Sequence, residues 1–410
     1  MSLTRPFRGL CPSPEYASQV AAPPYDVMSA AEARAMVEGK ENSFLHVSRA
    51  EVDLPEGADQ YSPAVYARSK INFDRMVSEG ILKRDAENSY YIYRLSNEFA
   101  SQTGIALIAS VDGYDGGNIK RHEFTRPDKE DDRVRQIDVL SAQTGPVLLA
   151  FRDRPDVKDY LSKITQLDAD IDITTDQSVR HQIWKVSDPI EVQNLSGLLG
   201  NIDSFYIADG HHRSAAASRV SKMRREKGTA LDDGSDYFLS VAYSHSDMKI
   251  LPYNRVVADL NGLSKDQFIS ELSKNFSVKT VPSPVTPSEK GSFGMYLDGG
   301  WYQLRFLGQA KLTDPIESLD VSILSNWVLG PILDIKDLRN DKRIDFVGGI
   351  RGTAGLVARV DSGEMACAFS LYPTQMEELM AVADRGGIMP PKSTWFEPKL
   401  ADGLISHVFD

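Results

Sequence analysis

Asp209, Gly210, His211, His212 and Arg213 stand in a row between the apolar run "SFYIA" and the small-residue run "SAAAS". The pattern predicts a strand, a tight turn and a helix start. The first N–H groups of a helix have no intrahelical acceptor, and the macrodipole adds positive charge there. Gly210 allows a sharp turn and a close approach by a ligand. An arginine in the first helical turn is disfavoured by the dipole, so Arg213 is better explained by an anion that it clamps. His211 and His212 can donate to phosphate oxygens. Neighbouring helical side chains point about 100° apart, so the pair is poorly arranged for one shared metal ion. The blander reading is a capped helix with surface histidines, and the unusual composition of the turn weighs slightly against it.

A second cluster is "RHEFTRPDKEDDR", Arg121 to Arg133. Glu123, or else His122, could take a proton from a hydroxyl. Arg126, Lys129 and Arg133 could bind phosphates. Charge runs are mostly solvated faces, but "FTRP" does not read as helix surface. Arg255 in "LPYNRVV" and Lys392 in "MPPKSTWFEPKL" are further candidate ligand contacts. "GIMPPKS" is not a phosphate-binding P-loop, because its two prolines remove two of the backbone N–H groups that such a loop needs.

Elements must position these groups. Strands are expected at 89–96, 104–114, 145–151, 181–187, 204–209 and 236–244, where β-branched and aromatic residues run between polar turns. Helices are expected from Ser62 to Glu79, near 189–199 and over 211–227. Ser29 with Glu32 reads as a capping box. "FGMYLDGGWYQLRFLG" reads as a hairpin, and 318–333 as a helix. The class is mixed α/β. The segments expected are 1–100, an N-terminal α/β region; 101–260, the core carrying DGHHR; and 261–410, a C-terminal α+β region.

The chain has 410 residues, a net charge of -12 and two cysteines, Cys11 and Cys367. The acidic balance argues against a general nucleic-acid or membrane-surface binder. The cysteines give no disulfide framework and no CxxC metal site. No stretch approaches a membrane span and the first residues lack a signal-peptide core, so a cytoplasmic location is expected.

Eight stretches carry a resemblance: "FRGL" (7–10), "VAAPPYDVMS" (20–29), "SFLHVSR" (43–49), "QTGIALIASV" (102–111), "KRHEFTRPDKEDDR" (120–133), "YIADGHHRSAAA" (206–217), "LPYNRVV" and "MPPKSTWFEPKL". Together they identify the chain as a member of a bacterial and archaeal family known as domain of unknown function 1015. Its DGHHR resembles the (D/N)GxHR-type motif of the ParB/sulfiredoxin-like superfamily, where the motif binds nucleotide phosphates at a helix N-terminus. One member is an archaeal kinase of free L-serine.

The resemblance implies a ParB/sulfiredoxin-like core, ATP or ADP as phosphate donor, Mg²⁺ and a serine-like acceptor. It carries Asp209 to Arg213 over directly. Asp209 would hold Mg²⁺ or orient a hydroxyl. Glu123 precedes Asp209 by 86 positions, a longer interval than in that kinase, so the base stays open between Glu123 and His122. Two other readings stand beside it. One is a metal-dependent hydrolase or phosphatase using His122, Glu123, Asp209, His211 and His212. The other is a non-catalytic nucleotide or anion sensor. Partners expected are a nucleotide and a small hydroxylated molecule, with no nucleic acid and no membrane; a homodimer is allowed.

Overall fold

A computed structural model of the chain describes residues 2–228, 234–308 and 312–410. It divides into two compact units. The first holds Met1–Met248 and Pro398–Asp410, the second Lys249–Glu397.

In the first unit the strands of one mixed sheet are β1 (Thr4–Arg5), β2 (Tyr90–Ser96), β3 (Ser101–Ser110), β4 (Ile119–Lys120), β5 (Val147–Phe151), β6 (Ile171–Thr174), β7 (Arg180–Val186), β8 (Phe205–Asp209) and β9 (Tyr237–Ser244). They lie in the order β4-β8-β5-β9-β3-β2-β7-β6, with β1 paired to β3. β8 runs parallel to β4 and antiparallel to β5, while β9 runs parallel to β5. The mixed α/β class is the one expected from the sequence.

These strands form where apolar residues dominate. Ile92, Ile105, Leu107, Leu149, Phe151 and Ile207 are buried in one core cluster. Two helices pack on the same cluster: α1 (Pro155–Ile164) through Val157 and Leu161, and α2 (Pro189–Gly200) through Leu195 and Leu199. The capping box at Ser29 and Glu32 is formed in both directions.

The division into units differs from the three segments expected. A boundary at residue 100 would cut β2 from β3, which are neighbouring antiparallel strands. The last residues also return to the first unit, where Ser406–Val408 pairs with both Gly9–Pro12 and Ala142–Gln143.

The second unit carries an antiparallel sheet of β10 (Tyr253–Val257), β11 (Phe276–Val281), β12 (Ser292–Leu297), β13 (Gly300–Phe306), β14 (Ile344–Gly348) and β15 (Cys367–Leu371), in the order β11-β13-β12-β15-β10-β14. The expected hairpin is β12–β13. Its two turn residues, Asp298 and Gly299, both have positive φ, as a tight hairpin turn requires. The helix expected over 318–333 is shorter: Asp320–Leu324 is α-helical and Ser325–Leu329 forms a π-helical turn. Gly330 and Pro331 follow, and proline cannot donate to a continuing helix. No helix among the described residues is long and apolar enough to cross a membrane.

Candidate active site

β8 ends at Asp209, and α3 (His211–Glu226) begins two residues later. Gly210 between them has φ +99°, a left-handed value. A Cβ there would lie 3.2 Å from Arg213 Nε and 3.3 Å from Val147 Cα. Conformation and space therefore both select glycine. No side chain caps the start of α3, and no acidic residue occupies its first turn. Against β5 the register of β8 slips between Ile207 and Asp209. Such a bulge re-aims the side chain that follows it.

The parallel pairing of β4 with β8 sets the rest. Ile119 lies opposite Phe205 and Lys120 opposite Tyr206, so the chain after Lys120 runs on beside Asp209. The 121–126 loop is then tied to α3 by both histidines. The His122 backbone N–H donates to His211 Nε2 at 3.4 Å, and the Arg126 N–H donates to His212 Nε2 at 3.0 Å. The carboxylate of Glu123 lies 3.9 Å from His211 Nδ1. The 85 residues between Glu123 and Asp209 hold a helix (Pro127–Leu140), the short strand Ala142–Gln143, β5, α1, the β6–β7 hairpin, α2 and most of β8. β6 and β7 lie at the opposite edge of the sheet.

Electrostatics keep the two ring systems neutral. Burial pushes His122 down to about 4. Burial and the adjacent His122 hold His211 well below the usual histidine range. The two rings meet edge to face with centroids 4.5 Å apart. Burial also lowers His212, opposed by Asp26 and Glu130. Of the two candidate bases, Glu123 is the carboxylate with solvent access, at 35% side-chain exposure, whereas His122 is 2% exposed.

Burial disfavours charge on Asp209, but Lys399 and Arg213 overcome this and hold its carboxyl well below the usual range. Lys399 Nζ donates to Asp209 Oδ2 at 3.0 Å. Arg213 Nη1 donates to the Pro146 carbonyl, while its buried Nε has no partner. Burial works against the Arg213 charge, and Asp209, Asp26, Tyr25 and Asp402 sustain it. Arg133 stacks on Tyr25, 3.7 Å from the ring centroid, and pairs with Asp132. A cavity of about 30 Å³ is lined by Tyr25, Arg133, Thr144, Gly145, Arg213 and Asp402, enough for one or two waters.

Asp402 gives a pH-dependent prediction. Burial pushes its carboxyl up to about 7, opposed by Arg213 and Arg133 and reinforced by Asp26. Its folded value is above its unfolded one, so the folded state binds the extra proton. Stability then falls as pH rises from about 4 to about 7, and levels off above that. Asp402→Asn should remove most of this slope, gaining stability at pH 8 relative to pH 5 in urea titrations.

The Arg126 side chain is exposed and pairs with Asp128 at 2.9 Å, so only its backbone meets α3. Lys129 donates to the Tyr61 hydroxyl at 2.7 Å. Arg255 and Lys392 lie in the second unit. There Arg255 is fully buried and bonds the Tyr253 and Pro391 carbonyls, and Lys392 Nζ is 5.5 Å from the Tyr253 ring centroid. Tyr25, Asp26, Lys399 and Asp402 join the site without having been singled out. Their signals were the rigid "PPYD" run, and a lysine and aspartate in "FEPKLADG" that lie beyond the one chosen.

The chain belongs to the family described as protein of unknown function (DUF1015), whose model matches residues 4–322. No curated protein matches it. Among solved structures it is similar to a conserved hypothetical protein from Pyrococcus furiosus, with 17% identity, a TM-score of 0.35, and coverage of 72% of this chain and 93% of that one. It is also similar to a free serine kinase in complex with AMP, with 13% identity, a TM-score of 0.34, and coverage of 71% and 86%. A third is C-terminally truncated SbnI from Staphylococcus aureus, with 10% identity, a TM-score of 0.38, and coverage of 72% and 85%.

Proposed function

We propose that the first unit is a nucleotide-dependent phosphotransferase acting on a small hydroxylated metabolite, with free L-serine the first acceptor to test. The observation that carries this reading is the approach of the Glu123 carboxylate to an uncapped, glycine-initiated helix start. Phosphoryl transfer asks chiefly for positioning and charge neutralisation. Backbone N–H groups from Gly210 to His212 hold the phosphates, with Arg213 and Lys399 adding positive charge beside them. The acceptor oxygen attacks the terminal phosphorus of ATP or ADP, the bridging P–O bond breaks, and the shortened nucleotide leaves. The acceptor proton passes to Glu123. Mg²⁺, a hard cation that prefers oxygen ligands, suits the phosphates and the Asp209 oxygen that Lys399 does not take. When bound, it neutralises phosphate charge. Arg133 lies with Arg213 and Asp402 in the lining of the small cavity and adds to the positive charge near Arg213.

Phosphorus NMR of the pure protein with Mg²⁺, ATP or ADP and a panel of hydroxylated amino acids and polyols tests this. The expected result is a new phosphomonoester signal, phosphoserine first. No transfer to any acceptor from either nucleotide overturns the reading.

A further inference from the structure

We infer that His122, Glu123 and His211 form a binding site for one first-row divalent transition ion such as Zn²⁺. Each of the three offers one ligand atom, and these atoms lie within 4.8 Å of one another. Two neutral imidazoles and one carboxylate are a donor set that suits such ions and suits Mg²⁺ poorly.

His122 gives an independent indication. It is 2% exposed, and its Nδ1 is buried with no hydrogen-bond partner. The ring also bonds to the Ile207 backbone, an interaction that favours its protonated nitrogen. A ligating histidine characteristically donates one ring N–H to a backbone carbonyl, which leaves the other nitrogen bare for the metal. A buried, unpaired acceptor is costly in a core that pairs nearly all its polar atoms. An ion would satisfy it.

The geometry sets what binding must change. An ion with ligands at about 2.0–2.2 Å in a tetrahedral arrangement spaces them by roughly 3.4 Å. The 3.9 Å between Glu123 and His211 Nδ1 must therefore shorten. Ligation through His211 Nδ1 moves the proton of that neutral ring to Nε2. The His122 amide, now donating to Nε2 at 3.4 Å, must then turn away. A bound ion also occupies the carboxylate assigned above to the acceptor proton, so a metal-ligating Glu123 and a proton-accepting Glu123 are alternative states of one side chain. Metal binding here rests on the cluster's geometry and is independent of phosphoryl transfer. Failure of every acceptor would remove the reading above and leave this one standing.

The test is titration of the chelator-treated, dialysed full chain with Co²⁺, followed by visible absorption, and competition by Zn²⁺. One equivalent should produce the intense bands of a four- or five-coordinate site, and Zn²⁺ should abolish them. Glu123→Gln, His122→Phe and His211→Asn, each verified as folded by circular dichroism, should each weaken Co²⁺ binding by more than about 100-fold. His46→Asn, which alters a separate histidine–aspartate pair, should leave the stoichiometry at one. Absence of the bands at one equivalent overturns the site. So does unchanged affinity in all three ligand variants, or displacement of Co²⁺ by an equal concentration of Mg²⁺.

Discussion

Glu123→Gln should lower phosphoryl-transfer turnover by about 10²–10⁴-fold, the usual contribution of a positioned general base, while nucleotide affinity stays within about threefold. The amide keeps the size of the carboxylate and can still accept a hydrogen bond, but it cannot take the acceptor proton. Its neighbours favour this split. His211 stays in place because it is buried against His122, with ring centroids 4.5 Å apart, and the loop remains tied to α3 by the Arg126 N–H on His212. In the proposed reaction the phosphates rest on the backbone from Gly210 to His212, which the substitution does not touch. Steady-state kinetics with nucleotide and acceptor varied separately would read it. A kcat unchanged within threefold would remove Glu123 as the base. A loss confined to nucleotide KM would make it a binding residue.

Arg213→Ala should abolish activity and also destabilise the first unit by roughly 3 kcal/mol, because removing one partner of a buried ionic cluster strands the others. Arg213 lies among Asp209, Asp26, Tyr25 and Asp402 and is bonded to the Pro146 carbonyl. Gly145 is shaped around the same cluster, since a Cβ there would come within 2.9 Å of Asp402 Oδ1. With the guanidinium gone, Asp402 loses the larger of the cations that counter its burial. Arg213→Ala combined with Asp402→Asn should therefore be more stable at pH 8 than Arg213→Ala alone. Urea unfolding of the two single variants and the double variant, followed by fluorescence, measures the coupling. Effects of the two substitutions that simply add in the double variant would show that Arg213 and Asp402 act independently.

What the sequence disclosed follows the range over which each signal acts. The strand, glycine and helix around DGHHR were legible because a turn that needs a positive φ is written locally, in Asp209–Gly210. The Ser29–Glu32 capping box and the Asp298–Gly299 hairpin were legible for the same reason. The meeting of Glu123 with His211 was not. It depends on the parallel pairing of β4 with β8, and the chain between them makes three helices, β5 and a hairpin at the far edge of the sheet. Lys399 and Asp402 were hidden for a similar reason: a segment from beyond the second unit folds back to pair with Gly9–Pro12. Lys392, seven positions before Lys399, has a comparable composition around it, and only the tertiary structure separates the two.

The paired histidines also take on a second use. Their ring nitrogens suggested donors to phosphate, and their spacing around the helix argued against one shared metal ion. In the structure both Nε2 atoms accept backbone N–H groups from the 122–126 loop. Two adjacent residues pointing about 100° apart can hold two different points of one loop, and that loop carries Glu123. Both rings are held below the usual histidine range by burial, which suits a neutral acceptor.

The most direct measurement is a crystal structure of the protein with ADP and Mg²⁺. Phosphate oxygens are expected within about 2.7–3.2 Å of the backbone nitrogens of Gly210, His211 or His212, with the Glu123 carboxylate facing the terminal phosphate. A nucleotide bound elsewhere, or one whose phosphates leave those three nitrogens uncontacted, would contradict it.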